Sequence, residues 1–470
     1  MIDLRLLRED PQRFIDGARK KNMRVDIERI LDLDKRRREA LTEQETLRAE
    51  QNRIAKDAGP RMGQLMAEGK KAAPERQAEI AREVDELRAK PAALKGKIQD
   101  LDLVIQAIAP ELERLLLEVP QPPDADVPVG KGAEDNVQIR TWNPPAKDGL
   151  PAFDVSKSFE SQRGFKPRNH MELMAMHRMV DFERGVKIAG SRSYLLTGWG
   201  ARLHFAALRY AMDFMVMKHG FTPVNVPVLA REEALIGTGF FPAGREQVYR
   251  LDEKERGGQD LFLTGTGEVS LMAIHQDEII DADQLPLKYT TVSTCFRREA
   301  GAAGRDTAGL YRVHQFDKCE QVVICRPDEA ESRAWHRQMI EFVEQILQSL
   351  HIPYRLLQCC TGDLGVKNAD MIDIESWMPA RVESGGDENN PGAYAETHSA
   401  SRLYDYQCRR LNMRIRGADG KPVIAHSLNN TVLASPRILI PIVENFQQED
   451  GSIVIPPPLR PYLGNAERIG

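Results

Sequence analysis

Cysteine is scarce and long apolar runs are absent. The six cysteines among 470 residues (Cys295, Cys319, Cys325, Cys359, Cys360 and Cys408) form no C-x-x-C pair. Neither a zinc ribbon nor a thioredoxin-like redox site is therefore indicated, and no zinc is expected. A disulfide scaffold does not suit a chain of this size and cysteine density. No stretch approaches the roughly 18 consecutive apolar residues of a membrane-crossing helix, so no membrane partner is expected. The opening residues MIDLRLLRED lack the apolar centre of a signal peptide, which makes a cytoplasmic protein the expectation. Neither G-x-G-x-x-G before a helix nor G-x-x-x-x-G-K-S/T occurs, which argues against dinucleotide-binding and P-loop sites. An excess of positive charge is also missing. Lys and Arg number 65 against 70 Asp and Glu, a net charge of −5. That excludes a uniformly basic nucleic-acid coat but leaves room for a local basic strip.

What is present is a soluble chain, 41% hydrophobic and 29% charged, long enough for a large core. At about 150 residues per domain, its length suits about three folding units. Residues 1–118 are rich in Arg, Glu, Lys, Leu and Ala and poor in Gly, a composition that favours long helices. Ile80, Val84, Leu87, Pro91, Leu94, Ile98, Leu101, Ile105, Ile108, Leu112 and Leu115 alternate spacings of four and three, a sustained heptad seam. Pro91 on that seam removes a backbone donor and should kink or interrupt the helix.

A weaker seam (Ile27, Ile30, Leu33, Leu41, Leu47, Ile54) marks a partner helix over 27–58, and the breakers from Gly59 to Pro74 predict the turn. The pair reads as an antiparallel coiled coil whose first helix is about 45 Å long. Basic clusters at Arg19, Lys20, Lys21 and Arg24, and at Lys35–Arg38, fit either a solvated face partnered by Glu39 and Glu43 or a contact with a phosphate backbone. The expected division is an arm over 1–119, a Pro-rich linker over 120–150 and a mixed domain over 151–470. Short β-branched runs and amphipathic helices in that last part favour an α+β domain around a largely antiparallel sheet.

Four constellations carry chemistry. Arg297 and Glu299, two apart on a predicted strand, share a face, as do Arg312, Phe316 and Glu320 on the returning strand. Such a hairpin can hold a nucleoside triphosphate: Arg neutralises phosphate, Phe stacks on a base and Glu orients amines. A salt-bridged hairpin explains the spacing equally well. Thr264–Glu268 reads TGTGE. Glu396, Ser399, Ser401, Arg402 and Asp405 lie in YAETHSASRLYDYQCRR, either a polar strand edge or a carboxylate–hydroxyl pair for Mg²⁺. HSLNNTVLASPR carries Thr431 and then Arg437 at a predicted helix start, where a cation opposes the helix dipole unless an anion lies nearby.

These stretches resemble, nearly end to end, the bacterial-type seryl-tRNA synthetases, a family of class II aminoacyl-tRNA synthetases. GSRSYLLTGWGARLHFAALRYAMDF and GFTPVNVPVLAREEALIGTGFFP are similar to the region around class II motif 1, with Pro227 as its proline. CFRREAGAAGRDTAGLYRVHQFDKCE is similar to motif 2, and LNNTVLASPRILIPIVENFQQEDGSIVIPPPLRPYLG to motif 3. The resemblance implies an α+β catalytic domain with an antiparallel sheet and an N-terminal antiparallel coiled-coil arm that binds tRNA. It also implies a homodimer formed through motif 1. ATP and Mg²⁺ would be the cofactors, with serine, tRNA(Ser) and also tRNA(Sec) as substrates.

By the same resemblance, Arg297 and Arg437 are the catalytic pair, on the α-phosphate and the γ-phosphate. Glu299 accepts from the adenine amine and Phe316 stacks on the ring. Arg298, Arg312, Thr397 and His398 complete the ATP set. Glu396 and Ser399 lie beside ATP and its Mg²⁺. Thr266, Gly267, Glu268, Glu320 and Thr431 form the serine pocket.

Several positions depart from the family pattern. Gly267 stands where the family has Ala, and a looser backbone is expected there. Ala308 replaces a motif 2 Arg. Arg402 replaces an Asn, and Asp370 stands where a Lys is usual. The acidic, Gly-rich insertion VESGGDENNPGAY precedes Glu396 and is expected to be an exposed loop. These changes keep two alternatives in view: a paralogue that makes an aminoacyl-adenylate for another amino acid or acceptor, and a non-catalytic RNA-binding protein.

Overall fold

The computed structural model describes residues 1–252, 258–300, 308–382, 391–417 and 419–470. The chain divides into two compact units. One comprises 4–11 and 24–119, the other 1–3, 12–23 and 120–470.

The first unit is a helical hairpin. Helix α1 (Ile27–Gly69) has 43 residues and helix α2 (Pro74–Glu118) has 45. At 1.5 Å per residue each is roughly 65 Å long, longer than the spacing of apolar residues suggested. Asp26 caps α1 by accepting from the Arg29 amide, and Pro74 opens α2 where no amide donor is needed. All eleven seam positions of α2 are buried or half-buried.

The expected turn over 59–74 shrinks to residues 70–73. Gly59, Pro60 and Gly63 stay helical, and Pro91 does not interrupt α2. A helix-interior proline costs ~3 kcal/mol on its own. Here the seam continues past each proline: Ala58 and Leu65 are buried on either side of Pro60, Leu87 and Leu94 are half-buried on either side of Pro91, and Leu65 packs with Ile80 and Val84. Gln51 donates to the Pro91 carbonyl at 3.1 Å, and the Arg29 guanidinium meets both Glu111 oxygens at 2.9 Å. In the basic run, Lys35 lies 4.0 Å from Glu39, Arg36 3.8 Å from Asp32 and Arg38 3.0 Å from Asp34.

The second unit is built on an eight-stranded sheet. Its strands in chain order are β1 (Val137–Trp142), β2 (Thr222–Pro223), β3 (Leu287–Phe296), β4 (Gln315–Cys325), β5 (Tyr354–Gln358), β6 (Asp370–Met378), β7 (Ala393–Tyr404) and β8 (His426–Ser435). The spatial order is β1-β5-β6-β7-β8-β4-β3-β2. Every pairing is antiparallel except β2 with β3. The stretch 120–150 thus contains an edge strand as well as an extended proline-rich run.

Alternation along β4 sorts its side chains. Cys319, Val323 and Cys325 enter the large core with helices α3 (Trp199–Asp213) and α5 (Glu329–Ser349). Phe316, Lys318 and Glu320 face the other side. There, helix α4 (Gly267–Ala273) packs Leu271 and Met272 against Val322 and Ile324, further along the strand. Helices α6 (Tyr406–Arg410) and α7 (Leu439–Asn445) follow β7 and β8. Among the described residues, no helix is long and apolar enough to cross a membrane.

Lys21, one of the expected phosphate-facing cations, is buried. Its ammonium donates to the carbonyls of Gly365 (2.8 Å) and Asn368 (2.5 Å), and burial pulls its pKa down to about 7.

Candidate active site

A recess opens on the sheet face opposite the large core, lined by Arg297, Glu299, Arg312, Phe316, Thr431 and Arg437 among others. Arg297 follows the last residue of β3. Its amide donates to the His314 carbonyl (2.9 Å) and its Nε to the Gly265 carbonyl (3.2 Å). The guanidinium sits 5.2 Å from the centre of the Phe316 ring. Glu299 has φ +52° and meets Arg312 at 3.5 Å. Strand alternation is therefore not what unites Arg297 and Glu299, because both lie beyond the strand end. Its own left-handed backbone, on the chain leaving β3, turns Glu299 back to the cavity.

Arg437 comes from the other side of the sheet order. It precedes α7 rather than lying in its first turn. Its Nη1 donates to the Glu396 carbonyl (3.1 Å), its Nε donates to the Tyr311 carbonyl (3.3 Å), and the guanidinium stacks 4.4 Å from the Tyr311 ring centre. The Glu396 carboxylate lies 3.7 Å away. Arg297 and Arg437, 140 positions apart in the chain, thus face one cavity together with Arg312, the rings of Phe316 and Tyr311, and the carboxylates of Glu299 and Glu396.

Behind Lys318, which also lines the cavity, lies a closed polar cluster. Thr266 caps α4; Thr266, Glu268 and Glu320 are 2%, 2% and 1% exposed. Lys318 Nζ donates to Thr266 Oγ1 at 2.8 Å and pairs with Glu320. Lys367 Nζ pairs with Glu268 at 2.5 Å, and Gln407 donates to the same oxygen at 2.7 Å. Burial pushes the Glu320 carboxyl up, against the pull of Lys318.

The chain is similar along its whole length to proteins of known activity. Residues 1–123 match the seryl-tRNA synthetase N-terminal domain, and residues 249–446 the class II tRNA synthetase core domain (G, H, P, S and T). A serine–tRNA ligase of Deinococcus radiodurans is 39% identical, with 100% of this chain and 99% of that protein covered. One from Thermobifida fusca is 40% identical, with 99% and 98% covered. The chain belongs to the seryl-tRNA synthetase family. Among solved structures, the seryl-tRNA synthetase of Pyrococcus horikoshii complexed with ATP is 36% identical, with a TM-score of 0.83 and 100% and 99% of the two chains covered. The cytoplasmic serine–tRNA ligase of Naegleria fowleri in complex with AMP is 27% identical, with a TM-score of 0.81 and 100% and 98% covered.

Most of the residues expected from that family gather here. Arg297, Glu299, Arg312, Phe316, Glu396, Thr397, Thr431 and Arg437 line the cavity. Thr266, Gly267, Glu268 and Glu320 form the closed cluster behind it. Three do not line the cavity. Arg298 is exposed, its amide bonded to the Gln247 carbonyl. His398 is buried on the core side of β7, where burial and then Arg437 pull its pKa down to about 3. Ser399 stands across the ladder from Asp373 and bonds to its carboxyl, which burial and Glu396 push up.

Gly267 is not loose: a Cβ there would lie 2.6 Å from Thr291 Cγ2. The altered pair Arg402 and Asp370 are cross-strand partners, joined at 2.9 Å, and Arg402 also reaches Asp124 at 3.0 Å. They make a buried charge pair rather than a changed pocket wall. Ala308 is exposed beside residues 301–307 of the motif 2 loop, and those residues lie outside the described ones, as do 383–390 of the acidic insertion.

Composition and spacing missed Lys318, Lys367, Gln407 and Tyr311. Only the alternation of Phe316, Lys318 and Glu320 on one strand carried a signal for the first of these. Asn429 was missed too. It shares a strand face with Thr431, and its buried Oδ1 has no partner among the described residues.

Proposed function

We propose that this chain joins L-serine to tRNA in two steps at this one cavity. The observation that carries the reading is the convergence of Arg297 and Arg437 on a single recess. In the first step a serine carboxylate oxygen attacks the α-phosphorus of ATP, the bond to the β-phosphate oxygen breaks, and pyrophosphate leaves. Arg297 holds the α-phosphate and the serine carboxylate together, and Arg437 holds the γ-phosphate, so negative charge is met by fixed guanidinium groups throughout. Glu299 accepts from the adenine amine and Phe316 stacks on the ring. Thr266, Glu268, Glu320 and Thr431 receive the serine ammonium and hydroxyl. In the second step a hydroxyl of the terminal ribose attacks the seryl carbonyl carbon and AMP leaves. Both steps rest on positioning and charge, without a covalent enzyme nucleophile.

Glu396, on the cavity wall, would stand beside Mg²⁺, with Ser399 behind it bonded to the Asp373 carboxyl. The chemistry fits: the donors are hard oxygens, and the carboxyl bonded to Ser399 keeps one buried oxygen, Asp373 Oδ1, without a hydrogen-bond partner. Bound there, Mg²⁺ would offset phosphate charge.

The 1–123 match supports the helical hairpin as the tRNA-binding arm. A homodimer through the motif 1 region is supported by exposed apolar side chains there: Ile188 is 73% exposed, Phe205 67% and Met217 83%. Pro227 itself is exposed. A cytoplasmic location accords with soluble substrates. The Arg402–Asp370 pair removes the main reason to expect a different amino acid.

Exchange of labelled pyrophosphate into ATP, run with each of the twenty amino acids, tests the reading. Serine alone should support exchange, and the purified chain should then charge serine onto total tRNA. Exchange with another amino acid, or with none, would overturn it.

A further inference from the structure

Lys318 stands where the open cavity meets the closed serine subsite. It lines the cavity yet is only 5% exposed. Its ammonium engages the two groups best suited to a substrate ammonium: the Thr266 hydroxyl oxygen at 2.8 Å, and the Glu320 carboxylate. Thr266 Oγ1 also accepts from the Glu268 amide at 3.3 Å. A hydroxyl oxygen has two lone pairs, and both are taken. The Thr266 proton is left to donate, and Glu320 Oε2 lies 3.4 Å away.

Charge balance points the same way. The subsite holds two buried carboxylates and two lysines, since Glu268 has Lys367 and Glu320 has Lys318. An incoming ammonium would add a third cation to a place closed to water, where an unpaired charge is costly. Take away the Lys318 ammonium, and Glu320 is left buried without a cation of its own. One ammonium at this position is therefore needed, and two are too many.

We propose that Lys318 is a positioning residue that stands in for the substrate's α-ammonium. Its own ammonium holds Thr266 and Glu320 while the subsite is empty, and yields both acceptors when serine binds. The displaced lysine has a destination, because Lys318 borders a cavity whose proposed occupant is anionic. This proposal rests on the reading of the subsite as a serine pocket.

The test uses L-glycerate, the analogue of serine with a hydroxyl in place of the ammonium. Glycerate brings no cation, so it should bind the parent chain with Lys318 still in place. Calorimetric titration with a non-hydrolysable ATP analogue present gives the Kd for each ligand. In Lys318→Met the serine ammonium replaces what the mutation removed, and glycerate has nothing to offer. The ratio of glycerate Kd to serine Kd should rise at least fivefold over the parent. Lys318→Gln, which keeps a donor to Thr266, should show the same direction and serves if the Met variant folds poorly. A smaller rise in both variants, equal weakening of both ligands, or no binding of glycerate to the parent overturns the proposal. A parent chain that does not bind serine at all overturns the functional reading instead.

Discussion

Arg297→Ala should lower serine-dependent pyrophosphate exchange by about 1,000-fold or more, with the melting temperature unchanged. The size follows from where the charge lies. Adenylation brings a carboxylate against a triphosphate, and the α-phosphorus reaction has no protein nucleophile to share the barrier. Loss of a single preorganised donor to such a centre costs ~100–1,000-fold, and loss of an arginine on a transferring phosphoryl group costs ~1,000-fold or more. Stability should not follow, because Arg297 is exposed and its Nε donates only to a loop carbonyl, that of Gly265. Exposed substitutions of this kind stay within about 0.5 kcal/mol. Arg297→Lys should fail nearly as badly, since a lysine cannot bridge phosphate and carboxylate with a planar fork. Exchange kinetics beside a thermal melt decide it. Near-parental exchange in Arg297→Ala would remove the residue from the chemistry.

Shortening the arm should separate the two half-reactions. Replacing residues 39–104 with a Gly-Ser turn should leave pyrophosphate exchange within about threefold of the parent, while charging of tRNA falls by about 1,000-fold. A loss of that size corresponds to ~4 kcal/mol of binding. The expectation rests on the independence of the two cores. The arm has its own, around Leu65, Ile80 and Val84, and the large core of the second unit draws on no residue between 24 and 119. Exchange and charging are measured on the same preparation. Equal losses in both would mean that the arm supports the fold of the active site rather than the tRNA.

The seam of α2 was legible in the sequence because it rests on periodicity, which burial then reproduces residue by residue, and the α+β sheet was legible in the β-branched runs that became its strands. The arm's true length was not. Pro60 and Pro91 look like breaks when weighed alone, and only the pairing of the two helices, with Leu65 packed against Ile80 and Val84, shows what offsets them. Motif residues such as Arg437 and Glu320 could be named from the family pattern, yet their grouping could not be read from spacing. Glu299 reaches the cavity through a left-handed residue past a strand end, which no alternation rule anticipates. Arg402 and Asp370 looked like losses when each was judged separately. Across the ladder they are each other's partner, and a pairing of that kind is invisible until the register is known. Lys318 went unnoticed because a lysine between an aromatic and a carboxylate reads as ordinary strand polarity. Its meaning lies in what closes around it.

In the proposed function, two distant guanidinium groups grip different phosphates of one nucleotide. Titrating ATP and ADP into the parent chain, Arg437→Ala and Arg297→Ala tests this most directly. The parent and Arg297→Ala should bind ATP more tightly than ADP, because Arg437 still meets the terminal phosphate that ADP lacks. Arg437→Ala should bind the two nucleotides alike. An ATP preference that survives in Arg437→Ala, or vanishes instead in Arg297→Ala, would contradict the account.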